Sequence, residues 1–205
     1  MESYLTVEKS GEGLYKEKGS KFIATAHGIG SEEDVKKILE QSRKDYYDAR
    51  HHCYAFSLGL KSPYTRANDD GEPNHSAGDP ILGQIKSKNL HNTMVVVVRY
   101  FGGTKLGVSG LIHAYKVAAE DAINNAKIVE RLITVPVTIH FPYERTNEVM
   151  RQISDMEIQV EQQEFLESCK IEGQIKEKNQ ELLIKNLELS ADVTISFDEG
   201  ETNEQ

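Results

Sequence analysis

Between Arg99 and Gly107 the chain reads RYFGGTKLG: a guanidinium, two aromatic rings, three glycines and a lysine within one short stretch. A glycine-rich turn leaves backbone N–H groups uncommitted, and a helix starting behind it adds the positive end of its dipole. With Arg99 and Lys105 supplying charge, this combination suits an anion, and RNA phosphate leads over a small phosphate ester. The residues assigned to such a site are Arg99, Tyr100, Gly102, Gly103, Lys105 and Gly107. Tyr100 and Phe101 add faces on which a base could stack. The spacing matches neither a Walker A loop nor a dinucleotide fingerprint, so no cofactor is expected.

A second group of reactive types lies in Asn68-Asp69-Asp70-Gly71-Glu72-Pro73. Two carboxylates this close, Asp70 and Glu72, serve as acid and base when burial separates their pKa values. With His51 they would make a metal-dependent or phosphate-ester hydrolase or phosphotransferase. Against that reading, the adjacent His51 and His52 point to opposite faces of a strand and cannot both reach one ion. No HxH or HExxH spacing occurs, and no metal site is assigned. A plainer account is a turn whose carboxylates pair with Arg99 or cap backbone N–H groups. Cys53 reads as a buried strand residue, and neither Ser76 nor Ser109 sits in a GxSxG elbow.

The elements that position these groups follow from pattern. Met94–Val98 is a continuous β-branched run, a strand buried on both faces, and it delivers Arg99. Behind the glycines, Leu111, Tyr115, Ala118, Ala119, Ala122, Ile123 and Ala126 repeat at helical spacing, with Ser109 as the expected N-cap. Upstream, 4–8, 13–18 and 21–28 read as strands. Ser31 and Asp34 form a capping-box variant ahead of a helix whose other face carries Lys36, Lys37, Arg43 and Lys44. Residues 50–60 read as another strand, 61–78 as an irregular functional loop, and 80–86 as a short helix. From residue 134 the order strand, helix, two strands, helix, strand is the ferredoxin-like βαββαβ arrangement. The polar tail 198–205 reads as frayed.

Charge divides the chain in the same place. Residues 1–133 hold 18 Lys+Arg against 17 Asp+Glu, whereas 134–205 hold 6 against 16. The second part would repel a phosphate backbone and the first would not. Two domains are therefore expected, 1–133 and 134–205. Only Cys53 and Cys169 are present, so no disulfide framework is expected. No apolar run reaches the roughly 20 residues that span a bilayer, and the N-terminus lacks signal-peptide features. The expected setting is the cytoplasm, with no membrane partner.

KGSKFIATA (18–26), RHHCYAF (50–56), NDDGEP with SAGDPIL (68–82) and VVVRYFGGTKLGVSGLIHAY (96–115) together resemble the IMPACT family, in a bacterial form of the YigZ type. The resemblance implies an N-terminal β/α fold like domain 2 of a small-subunit ribosomal protein, with a left-handed βαβ crossover. It also implies a C-terminal domain similar to the last domain of elongation factor G. Eukaryotic relatives regulate translation by competing for an activator of the eIF2α kinase; they carry a different N-terminal domain, absent from this sequence, so the resemblance does not imply that partner here. Resemblance and residues together give the expected function: a non-catalytic, translation-associated regulator binding the ribosome, RNA or a translation factor, without DNA sequence specificity. The alternatives are the hydrolase reading above and a protein-binding module built on the acidic second domain.

Overall fold

The computed structural model describes residues 2–166, 168–187 and 192–197, so the reading of a frayed tail at 198–205 lies outside the described residues. The elements run β1 (Ser3–Lys9), β2 (Gly11–Glu17), β3 (Ser20–Gly28), α1 (Glu32–Asp45), β4 (His51–Leu58), β5 (Tyr64–Asn68), α2 (Gly78–Ser87), β6 (Thr93–Tyr100), α3 (Gly107–Asn125) and β7 (Lys127–Leu132). Then follow β8 (Thr134–Pro142), α4 (Thr146–Asp155), β9 (Gln159–Glu164), β10 (Ser168–Lys176), α5 (Gln180–Leu187) and β11 (Thr194–Phe197). The chain divides into two compact units, residues 4–131 and residues 132–205 together with 1–3.

In the first unit a five-stranded sheet has the order β2-β3-β6-β4-β5, with every neighbouring pair antiparallel. Because β3 and β4 both oppose β6, they run parallel to each other with β6 between them, and α1 makes the crossover. Alternation along the strands gives the two faces separate cores. Phe22, Ala24, Cys53, Ala55, Val95 and Val97 pack against α2 and α3, while Tyr54, Phe56, Met94, Val96 and Val98 meet Val35 of α1. That is why Met94–Val98 lacks alternation: both sides are dry. The alanines of α3 let β2 approach closely. A Cβ on Gly13 would stand 2.4 Å from the backbone nitrogen of Ala122.

Two strands escape the sequence reading. The segment expected as an irregular loop contains β5, a short edge strand whose YTRAN sequence lacks an apolar stripe; it is fixed by register with β4, Ala55 opposite Ala67. β7 is exposed along most of its length and exists by pairing with β1, from the far end of the unit. Helix α3 begins at Gly107, with Leu106 at the cap and no side-chain capping bond, so Ser109 lies inside the first turn instead of capping it. The capping box at Ser31 is present: its hydroxyl accepts from the Asp34 amide, and the Asp34 carboxylate accepts from the Ser31 amide.

The second unit has the sheet order β11-β8-β10-β9, all antiparallel, which is the strand order of a ferredoxin-like fold. Val137, Ile139, Phe141, Ile171 and Ile175 bury one sheet face against Val149, Ile153, Leu183 and Leu187 of α4 and α5. The other face carries Thr138, His140, Lys170, Glu172 and Gln174, a mixed polar surface.

Candidate functional site

At the end of β6 nearest the glycine turn, the strand register sets Phe22 and His51 on either side of Arg99. The Arg99 guanidinium carbon lies 5.5 Å from the Phe22 ring centroid and 5.6 Å from that of Phe101. Above it arches the loop joining β5 to α2, which drops Glu72 into the same space. Glu72 Oε1 accepts from Arg99 Nη1 at 2.6 Å and from the Tyr115 hydroxyl of α3 at 2.8 Å. Both charged side chains are buried, 7% and 4% exposed. An ion pair this dry persists because Coulomb attraction and an added hydrogen bond offset the loss of hydration.

The loop itself is held by its own carboxylates. Asp69 Oδ1 accepts from the amides of Ala77 and Gly78, at 2.9 and 2.8 Å, and its Oδ2 from the amide of His75. Burial pushes the Asp69 carboxyl up, but the amides of Gly78, Ala77 and His75 outweigh it and leave the carboxyl below the usual range. Asp70 Oδ2 accepts from the amide of His52 at 2.7 Å, and the Asp70 carbonyl lies 2.8 Å from His51 Nδ1. Asp70, Gly71 and His75 all have positive φ, which the tight double turn requires.

These contacts answer the chemistry asked of Asp70, Glu72 and His51. Glu72 gives one carboxylate oxygen to Arg99 and Tyr115, and Asp70 gives one to the His52 amide, so both carboxylates hold the loop in place. The Cys53 thiol is driven up chiefly by burial, well beyond any useful nucleophile; it lies 3.0 Å from the Asp69 carbonyl and 3.3 Å from the Tyr115 oxygen. Ser76 is fully buried and donates to the Pro73 carbonyl. Among the described residues no three His, Cys, Asp or Glu side chains converge to hold a metal ion. The plain reading of the loop, carboxylates pairing with Arg99 and capping amides, matches what Glu72 and Asp70 do.

The glycine turn is a different place. Tyr100 points to the opposite sheet face, where its hydroxyl donates to Asp48 Oδ1 at 2.7 Å, and that bond raises its pKa to about 12. Gly102 is pressed on the β2–β3 turn: a Cβ there would lie 1.8 Å from the carbonyl carbon of Gly19. Its amide donates to Ser20 Oγ at 3.2 Å. Gly103 and Gly107 have positive φ and open space around the missing side chain. Lys105 is exposed, as are Thr104 and Gly107, and Phe101 is 53% exposed.

The six residues proposed from sequence therefore divide. Arg99 is inside and paired, Tyr100 faces away, Gly102 is a packing glycine, and Gly103, Lys105 and Gly107 form an open turn before an uncapped helix. Sequence reasoning missed Lys18, which is exposed and whose turn is brought against the glycine corner by packing of Gly19 on Gly102; Lys21, opposite Tyr100 in the sheet, shares the Tyr100 face. It also missed the Tyr115 hydroxyl, since helical spacing marks that residue only as core.

Residues 18–123 match the family model of the Impact N-terminal domain. The chain is 30% identical over 178 residues to IMPACT family member YvyE of Bacillus subtilis, covering 87% of this chain and 82% of that one. It is 32% identical to IMPACT family member YigZ of Escherichia coli, covering 70% and 71% of the two chains. A solved structure titled as that of a hypothetical protein superposes with a TM-score of 0.72 at 25% identity, over 98% of this chain and 100% of that one.

Proposed function

The chain belongs to the IMPACT family, and on that premise we propose that it is a non-catalytic, translation-associated protein that binds RNA or the ribosome through the glycine corner of its first unit. The observation that carries this reading is a contrast: the reactive-looking loop is closed on itself, while Lys105 and Lys18 stand exposed at the glycine turn ahead of a helix with no side-chain cap. Two exposed ammonium groups and a half-exposed ring, Phe101, suit a single-stranded backbone with a stacked base. Arg99 supports the corner from beneath and is not a phosphate contact. Residues 134–205 hold 6 Lys+Arg against 16 Asp+Glu and would repel a phosphate backbone, so RNA contact is assigned to the first unit.

The test is binding of single-stranded RNA and of ribosomes by the full chain, measured against salt. Binding should weaken steeply as salt rises, and K105A and K18A should each lower the salt slope by about one. Affinity indifferent to salt would overturn the reading. The hydrolase reading is disfavoured because Glu72 is buried and held by Arg99 and Tyr115, and Asp70 holds the His52 amide.

A further inference from the structure

A separate cleft of about 380 Å³ opens in the first unit where β1 crosses the end of β3, and every residue lining it belongs to that unit. Its size falls in the range that holds a small molecule, but its walls are mainly polar. Tyr4, Ser10, His27 and Arg131 come to it from β1, the β1–β2 connection, β3 and β7. Among the described residues none of these four side chains has a hydrogen-bond partner. All four can donate: two hydroxyls, a ring N–H and a guanidinium. By contrast the neighbouring Thr6 hydroxyl is engaged with the Asn92 carbonyl.

Charge points the same way. Glu8 lines the cleft too, but it is bonded to Lys127 and also lies in the field of Arg131. Glu8 is thus shared with Lys127, and Arg131 has no ion pair of its own among the described residues. Four groups able to donate, one of them a guanidinium with no ion pair of its own, suit an oxyanion. A guanidinium pairs with a phosphoryl group in a fork, and a phosphoryl group has oxygens enough for the remaining donors. The polar walls suit a polar body attached to it.

We propose that this cleft binds a small phosphorylated ligand of the sugar-phosphate class, with Arg131 as the principal phosphoryl contact and Ser10, His27 and Tyr4 as the surrounding donors. The site is distinct from the glycine corner and does not depend on the RNA reading.

The experiment is calorimetric titration of the full chain with ribose 5-phosphate, inorganic phosphate and ribose. Ribose 5-phosphate should bind saturably and more tightly than inorganic phosphate, and ribose should not bind. R131A should weaken ribose 5-phosphate about tenfold or more. E8Q removes the one carboxylate at the mouth and should tighten it, a gain that misfolding cannot mimic. K105A should leave this binding unchanged while weakening RNA, so the two sites fail separately. No saturable binding by either phosphate probe, equal affinity in R131A, or weaker binding in E8Q would each overturn the proposal.

Discussion

Two glycine-bearing connections flank Arg99 in the first unit, one acidic and one carrying a lysine. The loop from Asn68 to Ala77 has two aspartates, a glutamate and a histidine, and nearly every polar group in it has an internal partner. The turn from Phe101 to Leu106 has a lysine and a threonine, both exposed, and its one described internal bond is from the Gly102 amide to Ser20. The first is a structural clasp and the second an open surface. Beyond their different charges, what separates them is whether a neighbouring element comes close enough to satisfy the groups. Tyr115 and Arg99 reach the first, while the helix behind the second begins with its N–H groups uncapped. A polar cluster is a sign of function only after its internal partners have been counted.

The sharpest way to break the contrast is to remove one half of the buried pair. E72A leaves a buried guanidinium without its carboxylate, and R99A the reverse; each should cost about 3–5 kcal/mol in urea unfolding. If either variant unfolds like the wild type, the clasp is not structural. D69A strips the acceptor from three amides and should cost about 1–3 kcal/mol, with faster proteolysis between residues 68 and 78. Y115F removes one hydrogen bond to Glu72 and keeps the ring against Phe22, so about 1–2 kcal/mol is expected. K105A should change stability by less than about 0.5 kcal/mol, because the side chain is exposed, while weakening RNA binding.

Acid supplies a finer test. The folded Asp69 carboxyl is held below its ordinary value, so the stability it contributes is complete above the ordinary aspartate range and is lost as pH falls through the folded value. His52 is depressed by burial, so folding excludes its proton and stability also falls as pH drops below the ordinary histidine value. Unfolding midpoints from about pH 7 to pH 5 should fall less in H52Q than in wild type, and those below about pH 4 less in D69N. Equal slopes would show that neither group is coupled to folding.

The sequence by itself determined the elements whose pattern is set by burial. The β-branched run Met94–Val98 has two dry faces, the alanine stripe of α3 lies on the sheet, and βαββαβ spacing fits the second unit's strand order. It also carried the family, because four ordered motifs survive as residues. Tertiary structure alone decided β5 and β7, whose sequences hold no strong strand signal and which exist through pairing with distant partners. It likewise decided the fate of each charge. Arg99 and Lys105 look equivalent in the sequence, but the environment of a cation is set by residues far along the chain: Glu72 and Tyr115 close over one, and nothing closes over the other. Burial and pairing are properties of three-dimensional neighbourhood, and periodicity along a strand or helix fixes which face a side chain takes but not what waits there.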